Sequence, residues 1–400
     1  MGTVAARPTR IPGLDPLRAV AAWLVLLSHV AFWTGAGAHG TMGGLAVRGE
    51  LGVAVFFALS AFLLSAPFVR RALGGSARWS VGRYLVRRAA RILPAYLLAL
   101  AGVVAVAAYL GGAAASVLDA PTVLVHLVIG QGWTGRTFQS FTQTWSLTTE
   151  VTFYLLLPLM ALATAPLVRS AEPRVAVRRL LLLCAGVAVA GLAVQSLSAL
   201  VPDPQWSGAL ATSAAGHAAW FAVGVAVTVL VEAERLGVRV SARPLLTVLR
   251  TSPGTLVVLA LVVWLVASTP VAGPRGIEPS SAAESLVAEL LYGVVAGCLL
   301  LAAVSPGVTE AIAASPLAGA ARWLGDISYA VFLWHVLVLQ VVFAALDLRL
   351  FAAPFAPVLL LVTVVSVGLG HLSWILLESP VLDRAHRDAA APAPQPAPRA

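Results

Sequence analysis

A chain of 400 residues that is 60% hydrophobic and only 11% charged, with a mean hydropathy of +0.92, is no soluble globular domain; it reads as a polytopic membrane protein. Its net charge of +9 rests on 26 basic residues, all arginine, without the aromatic interleaving or motifs of a nucleic-acid binder, so the charge belongs to topology. Cys184 and Cys298 fall in separate hydrophobic segments, which excludes a disulfide framework, and no metal-ligand spacing is present.

Ten stretches are long enough to span a bilayer at roughly 20 residues each. They lie near 14–34, 51–69, 91–111, 148–168, 179–200, 208–231, 254–270, 284–304, 327–346 and 355–378. The first follows Arg7 and Arg10, exceeds a signal-peptide core and is interrupted by Arg18, so it is expected to be retained as a helix. The apolar segment 121–130 is too short to cross and is expected to be re-entrant or interfacial. With that segment not spanning and the N-terminus cytoplasmic, twenty-one arginines fall inside and only Arg48, Arg136, Arg275 and Arg349 outside. The expected fold is all-α: a polytopic membrane helix bundle of about ten transmembrane helices in the cell membrane, both termini cytoplasmic. Residues 1–13 form a cytoplasmic lead, 14–380 the membrane domain, and 381–400, ending "AAAPAPQPAPRA", a disordered tail.

In the first span, "LDPLRAVAAWLVLLSHV", eleven residues separate Arg18 from His29, three turns plus about 20°, so both lie on one face roughly 16 Å apart. Asp15 falls nearly on the same side and can pair with Arg18. Ionisable groups in a span face a bundle interior or a wet cavity. In "VGRYLVRRAARILPAYL", Arg87, Arg88 and Arg91 run into the third span; guanidinium groups suit phosphate oxygens, as a ligand site or as an anchor on anionic lipid. In "FTQTWSLTTEVTFYLLLPL", Trp145, Ser146 and Glu150 stand at the mouth of the fourth. There Ser146 is either a helix cap or a substrate contact, and Glu150 either complements the helix dipole or lines the cavity of His29. In "RWLGDISYAVFLWHVLVL", Ser328 and His335 are seven residues apart on one helical face, and near the C-terminus Glu378 reads as an ion-pair partner at the inner face.

No glycine-rich phosphate loop, HExxH, CxxC pair or GxSxG elbow is present. What remains fits general-base chemistry on a hydroxyl with a phosphate-bearing donor, and equally a proton-coupled transporter of a polar or lipid-linked solute.

Five segments in order resemble the membrane acyltransferase-3 family: the Arg-to-His spacing above, "LGVAVFFALSAFLLS", "RRAARILPAY", "WSLTTEVTFYLLLPL" and "LGDISYAVFLWH". The chain departs from that pattern at Ala54, often Asp, at Ala61, usually Gly, and at Val151, commonly a second Glu. Many members also carry a C-terminal esterase-like domain, and none is expected within these 400 residues. The resemblance implies an O-acyltransferase that moves an acyl group, expected to be acetyl, from acyl-CoA as co-substrate to a hydroxyl of a carbohydrate, glycolipid or secondary metabolite, with no tightly bound cofactor and no metal. It implies His29 as the base and Glu150 beside it as catalytic residues. Arg18, Arg88 and Arg91 would hold the donor, and Trp145, Ser146, Ser328 and His335 the acceptor.

Overall fold

A computed structural model describes residues 10–75, 80–168, 171–238 and 251–390, and all structural statements concern these. Seven of the arginines counted above (Arg7, Arg78, Arg169, Arg239, Arg243, Arg250 and Arg399) lie outside them. The ordered structure is helical, without strands among the described residues. The principal helices are α1 (Leu14–Thr34), α2 (Gly52–Ala72), α3 (Val81–Leu110), the short α4 (Ala120–Leu127), α5 (Trp145–Val168), α6 (Pro173–Ser198), α7 (Ala218–Arg235), α8 (Pro253–Ala267), α9 (Ala282–Ala303), α10 (Ala318–Ala345), α11 (Phe355–Ser373) and α12 (Ser379–Ala390). Each of the ten expected spans corresponds to one of these. Eight stretches meet both the length and the apolarity needed to cross; α8 has only 15 residues, and α7 carries Glu232, Glu234 and Arg235 in its 18. The chain is a multi-pass membrane helix bundle.

Local signals explain the helix ends. Ser281 and Glu284 form a complete capping box on α9, and Pro173 and Pro253 open α6 and α8 where no backbone N–H is needed. The segment expected to be re-entrant or interfacial is α4, only eight residues long. Its cap Asp119 accepts the Thr122 N–H at 2.7 Å, and hydrogen bonds from Thr122 hold that carboxyl below its ordinary range.

Three boundaries differ from the sequence reading. The second span begins at Gly40, not 51: a helix Gly40–Val47 runs into α2 through a 3-10 turn at Arg48–Leu51, a tightening that often marks a functional hinge. Arg48, expected in an outer loop, is therefore buried. The sixth span does not start at 208; Pro204–Ala211 is a separate short helix, and α7 begins after a turn at residues 212–217. The tail expected to be disordered from 381 stays helical to Ala390, since α12 continues from a π-turn at Trp374–Glu378; residues 391–400 lie outside the described residues.

The centre of the bundle is formed by α1, the Gly40–Ala72 stretch and α10, whose most apolar windows are 67%, 67% and 78% buried, against 11% for the peripheral α6. α1 packs on α10 and α2, and α2 packs most extensively on α7. Small residues permit these approaches, as they do between membrane helices generally. A Cβ on Gly325 would lie 2.9 Å from Cα and O of Asp15. One on Gly224 would meet the Ala58 carbonyl and the Ala61 side chain, so the room that Ala61 needs is supplied from α7. Gly325→Val is accordingly expected to lower stability by about 1–3 kcal/mol, read as a fall in the thermal midpoint of the detergent-solubilised protein; an unchanged midpoint would contradict the close α1–α10 contact.

Candidate active site

His29 sits on the second turn of α1 from its C-terminal end and faces α10. His335 Nε2 lies 3.3 Å from His29 Nδ1, with the rings edge to face at 4.9 Å. The proton positions follow from the acceptors around them. His335 Nδ1 is 2.7 Å from the Phe332 carbonyl, which can only accept; in the neutral ring this nitrogen carries the proton and Nε2 the lone pair. His29 Nδ1 is 2.9 Å from the Val25 carbonyl and faces that lone pair, so both neighbours require a proton there. His29 Nε2 is left with a free lone pair and no hydrogen-bond partner among the described residues. Such an imidazole can take a proton from a hydroxyl. The His335 side is held in place by Gln143, whose Nε2 donates to the Leu333 carbonyl at 2.9 Å.

Toward the N-terminal end of α1 lies a cationic cluster. Asp15 is gripped by Arg10 at 2.8 Å and by Arg18 at 3.5 Å, and Arg10 reaches Asp326 on α10 at 2.9 Å. Arg91 on α3 pairs with buried Glu378 at 3.5 Å and lies between the rings of Tyr329 and Trp374, 5.8 and 5.4 Å from their centroids. The π-turn Trp374–Glu378 supplies both Trp374 and Glu378 to this arrangement, a common use of that irregularity. Arg88 differs from these: its Nε is buried without a hydrogen-bond partner among the described residues, and it forms no ion pair there. Glu150, one turn into α5, accepts hydrogen bonds from Ser60 of α2 and from Tyr154, and faces the charges of Arg88 and Arg91.

On the other side of His29 the 3-10 break in the second span brings in a group that the sequence reading did not single out. Glu50 is the carboxylate whose charge reaches His29. It accepts the Tyr292 hydroxyl at 2.6 Å and Arg48 at 3.3 Å, and half of its side chain is exposed. Arg48 in turn donates to the carbonyls of Ala272, Gly273 and Pro274, at 3.0, 2.6 and 3.1 Å, and so ties the loop after α8 to this break.

A family profile described as an acyltransferase domain matches residues 11–373, nearly the whole described membrane bundle. The chain belongs to the acyltransferase-3 family. No curated protein and no solved structure matches it.

Within this acyltransferase-3 bundle the residues expected at the site divide into three groups. His29 and His335 are together, although His335 touches His29 itself rather than standing apart on an acceptor surface. Arg18, Arg88, Arg91 and Glu150 gather at the arginine-rich end, and Glu378 pairs with Arg91 as its position suggested. Glu150 makes no hydrogen bond to His29; its partners are Ser60 and Tyr154. The last group makes no hydrogen bond or ring contact with His29 or His335 among the described residues. Ser146 is no helix cap: its hydroxyl donates back to the Gln143 carbonyl at 3.0 Å. Ser328 likewise donates to the Gly325 carbonyl at 2.8 Å and is buried. Trp145 meets Phe57 edge to face and lies tilted against His217, 5.3 Å from the latter ring.

That last contact belongs to a second buried pair that the sequence reading also missed, His217 Nδ1 with Glu289 Oε2 at 2.9 Å, with Trp220 stacked on the imidazole at 4.2 Å. A carboxylate in the middle of "LVAELLYG" was the available signal, since a charge there needs a partner in the bundle. For Glu50 the signal was weaker, because "RGEL" reads as a loop between spans.

Proposed function

We propose that this membrane acyltransferase moves an acyl group from acyl-CoA to a hydroxyl of a carbohydrate, glycolipid or small-metabolite acceptor, with His29 as the base. The free Nε2 of His29, fixed by a proton on Nδ1 between Val25 and His335, is the observation that carries the reading. The donor phosphates enter at the arginine-rich end, where the buried Arg88 Nε has no hydrogen-bond partner among the described residues and Arg18 on α1 lies within charge range of Arg91. The positive-inside bias supports a cytoplasmic position for this end, and with it for both termini, in the plasma membrane. The acceptor approaches from the side of Glu50, the exposed carboxylate nearest in charge to His29.

His29 Nε2 removes the hydroxyl proton as the acceptor oxygen attacks the thioester carbonyl. The tetrahedral intermediate collapses with cleavage of the carbon–sulfur bond, and the imidazolium returns its proton to the departing CoA sulfur. An ester and free CoA thiol result. Glu150 does not touch His29; with Ser60 and Tyr154 it balances the arginine cluster and shapes the donor passage.

The decisive experiment complements a strain lacking the protein with the wild type and compares its envelope lipids, glycans and secreted metabolites by mass spectrometry. An acyl-sized mass increment restored by the wild type is expected; solute transport with no acylated product would instead indicate a transporter. His335 acts through His29 as a positioning residue. His335→Leu removes one hydrogen-bond acceptor and is expected to lower turnover by about tenfold, with the affinity for acetyl-CoA unchanged. A matching loss of acetyl-CoA affinity would place His335 in the donor site instead.

A further inference from the structure

The proposed chemistry uses the interior around α1, α3 and α10 with the inward faces of α2 and α5, and leaves a second cavity of the bundle without a role. α2, α5, α6 and α7 enclose this elongated cavity of about 660 Å³, the size of a small-molecule site. Its lining on α6 runs from Pro173 to Val187, roughly 21 Å of helix. That exceeds the ~15 Å that one leaflet contributes to a hydrocarbon core of about 30 Å.

The character of the lining restricts what can lie in it. Leu73, Leu157, Leu180 and Phe221 form a buried apolar rear wall. The hydroxyl on that wall, Ser65, is already satisfied by Thr228 at 3.0 Å, so it does not call for a polar solute. Ala165 and Ala218 leave open the space that larger side chains would close. Pro158, which lines the same cavity, removes one backbone N–H from the hydrogen-bond ladder of α5.

At the arginine-rich end the lining changes. Arg70 is neutralised by Glu232 at 2.8 Å, but Arg71, which lines the mouth, has no ion-pair partner among the described residues. Arg174 and Arg178 are exposed on the first turns of α6 at the same level. An apolar channel of membrane depth that ends at an unpaired guanidinium is complementary to a long hydrocarbon chain with an anionic head.

We propose that this groove binds one acyl chain of an anionic phospholipid from the leaflet on the arginine-rich side, with its phosphate on Arg71. The site is separate from the histidine pair, and its occupancy does not depend on the acyl-transfer reading.

The test uses the intact chain purified in mild detergent. Native mass spectrometry is expected to show one anionic phospholipid retained per chain, lost in Ala165→Phe. Arg71→Gln is expected to reduce the preference for phosphatidylglycerol over phosphatidylcholine by about fivefold. A second reading needs no variant: Cys184 lines the groove while Cys298 is buried elsewhere. Alkylation of Cys184 by a small maleimide, followed by peptide mass spectrometry, is expected to slow when phosphatidylglycerol is added, and far less with phosphatidylcholine. Equal protection by both lipids, retention unaffected by Ala165→Phe, or an isoprenoid phosphate found in place of the phospholipid would each overturn the proposal.

Discussion

His29→Ala is expected to reduce acyl transfer by ~10²- to 10⁴-fold, the usual contribution of a positioned general base, while the protein folds and still binds acetyl-CoA. The expectation follows from the site's geometry. The α1 backbone and His335 both fix the proton on Nδ1, so Nε2 faces the reaction with its lone pair available. Alanine removes that lone pair without disturbing the salt bridges that join α1 to α10 through Arg10 and Asp326. Product formed at the wild-type rate by the variant would remove His29 from the chemistry and return attention to Glu50. The measurement is the acylated product in the complemented strain, with thermal unfolding of the purified variant as the control for folding.

Arg88→Ala is expected to weaken acetyl-CoA binding by roughly ten- to a hundredfold, the range for loss of a hydrogen bond to a charged group. Of the other arginines proposed to hold the donor, Arg18 is matched by Asp15 and Arg91 by Glu378. Arg88 alone in this cluster presents a buried nitrogen without a hydrogen-bond partner among the described residues. Arg91→Ala should behave differently. It strands the buried Glu378 carboxylate, and breaking a buried pair from one side costs about 3–5 kcal/mol, so its main effect falls on stability. Titration calorimetry with acetyl-CoA, beside thermal unfolding of both variants, separates the two roles. Unchanged affinity in Arg88→Ala, or a larger affinity loss in Arg91→Ala with stability intact, would reverse the assignment.

The sequence by itself determined that this chain crosses a membrane many times and that several ionisable residues lie within the spans. Hydrocarbon penalises each charge where it stands, so Arg18, His29, Arg91, Glu150 and His335 stand out from their immediate surroundings without reference to any other helix. The order of their motifs carried the resemblance to the acyltransferase-3 family, which the family profile bears out. Tertiary structure alone decided who partners whom. His29 meets a histidine 306 positions away, and Arg91 meets Glu378 across 287. Glu50 reaches the site only because the second span starts eleven residues early and is broken by a 3-10 turn, and Glu289 has its partner, His217, at the cap of α7. A polar residue's need for a partner is local and can be read from composition and spacing. The identity of that partner depends on the relative depth and rotation of packed helices, which are set by close approaches such as Gly325 on Asp15 and Gly224 on Ala58, and no periodicity within one helix encodes them.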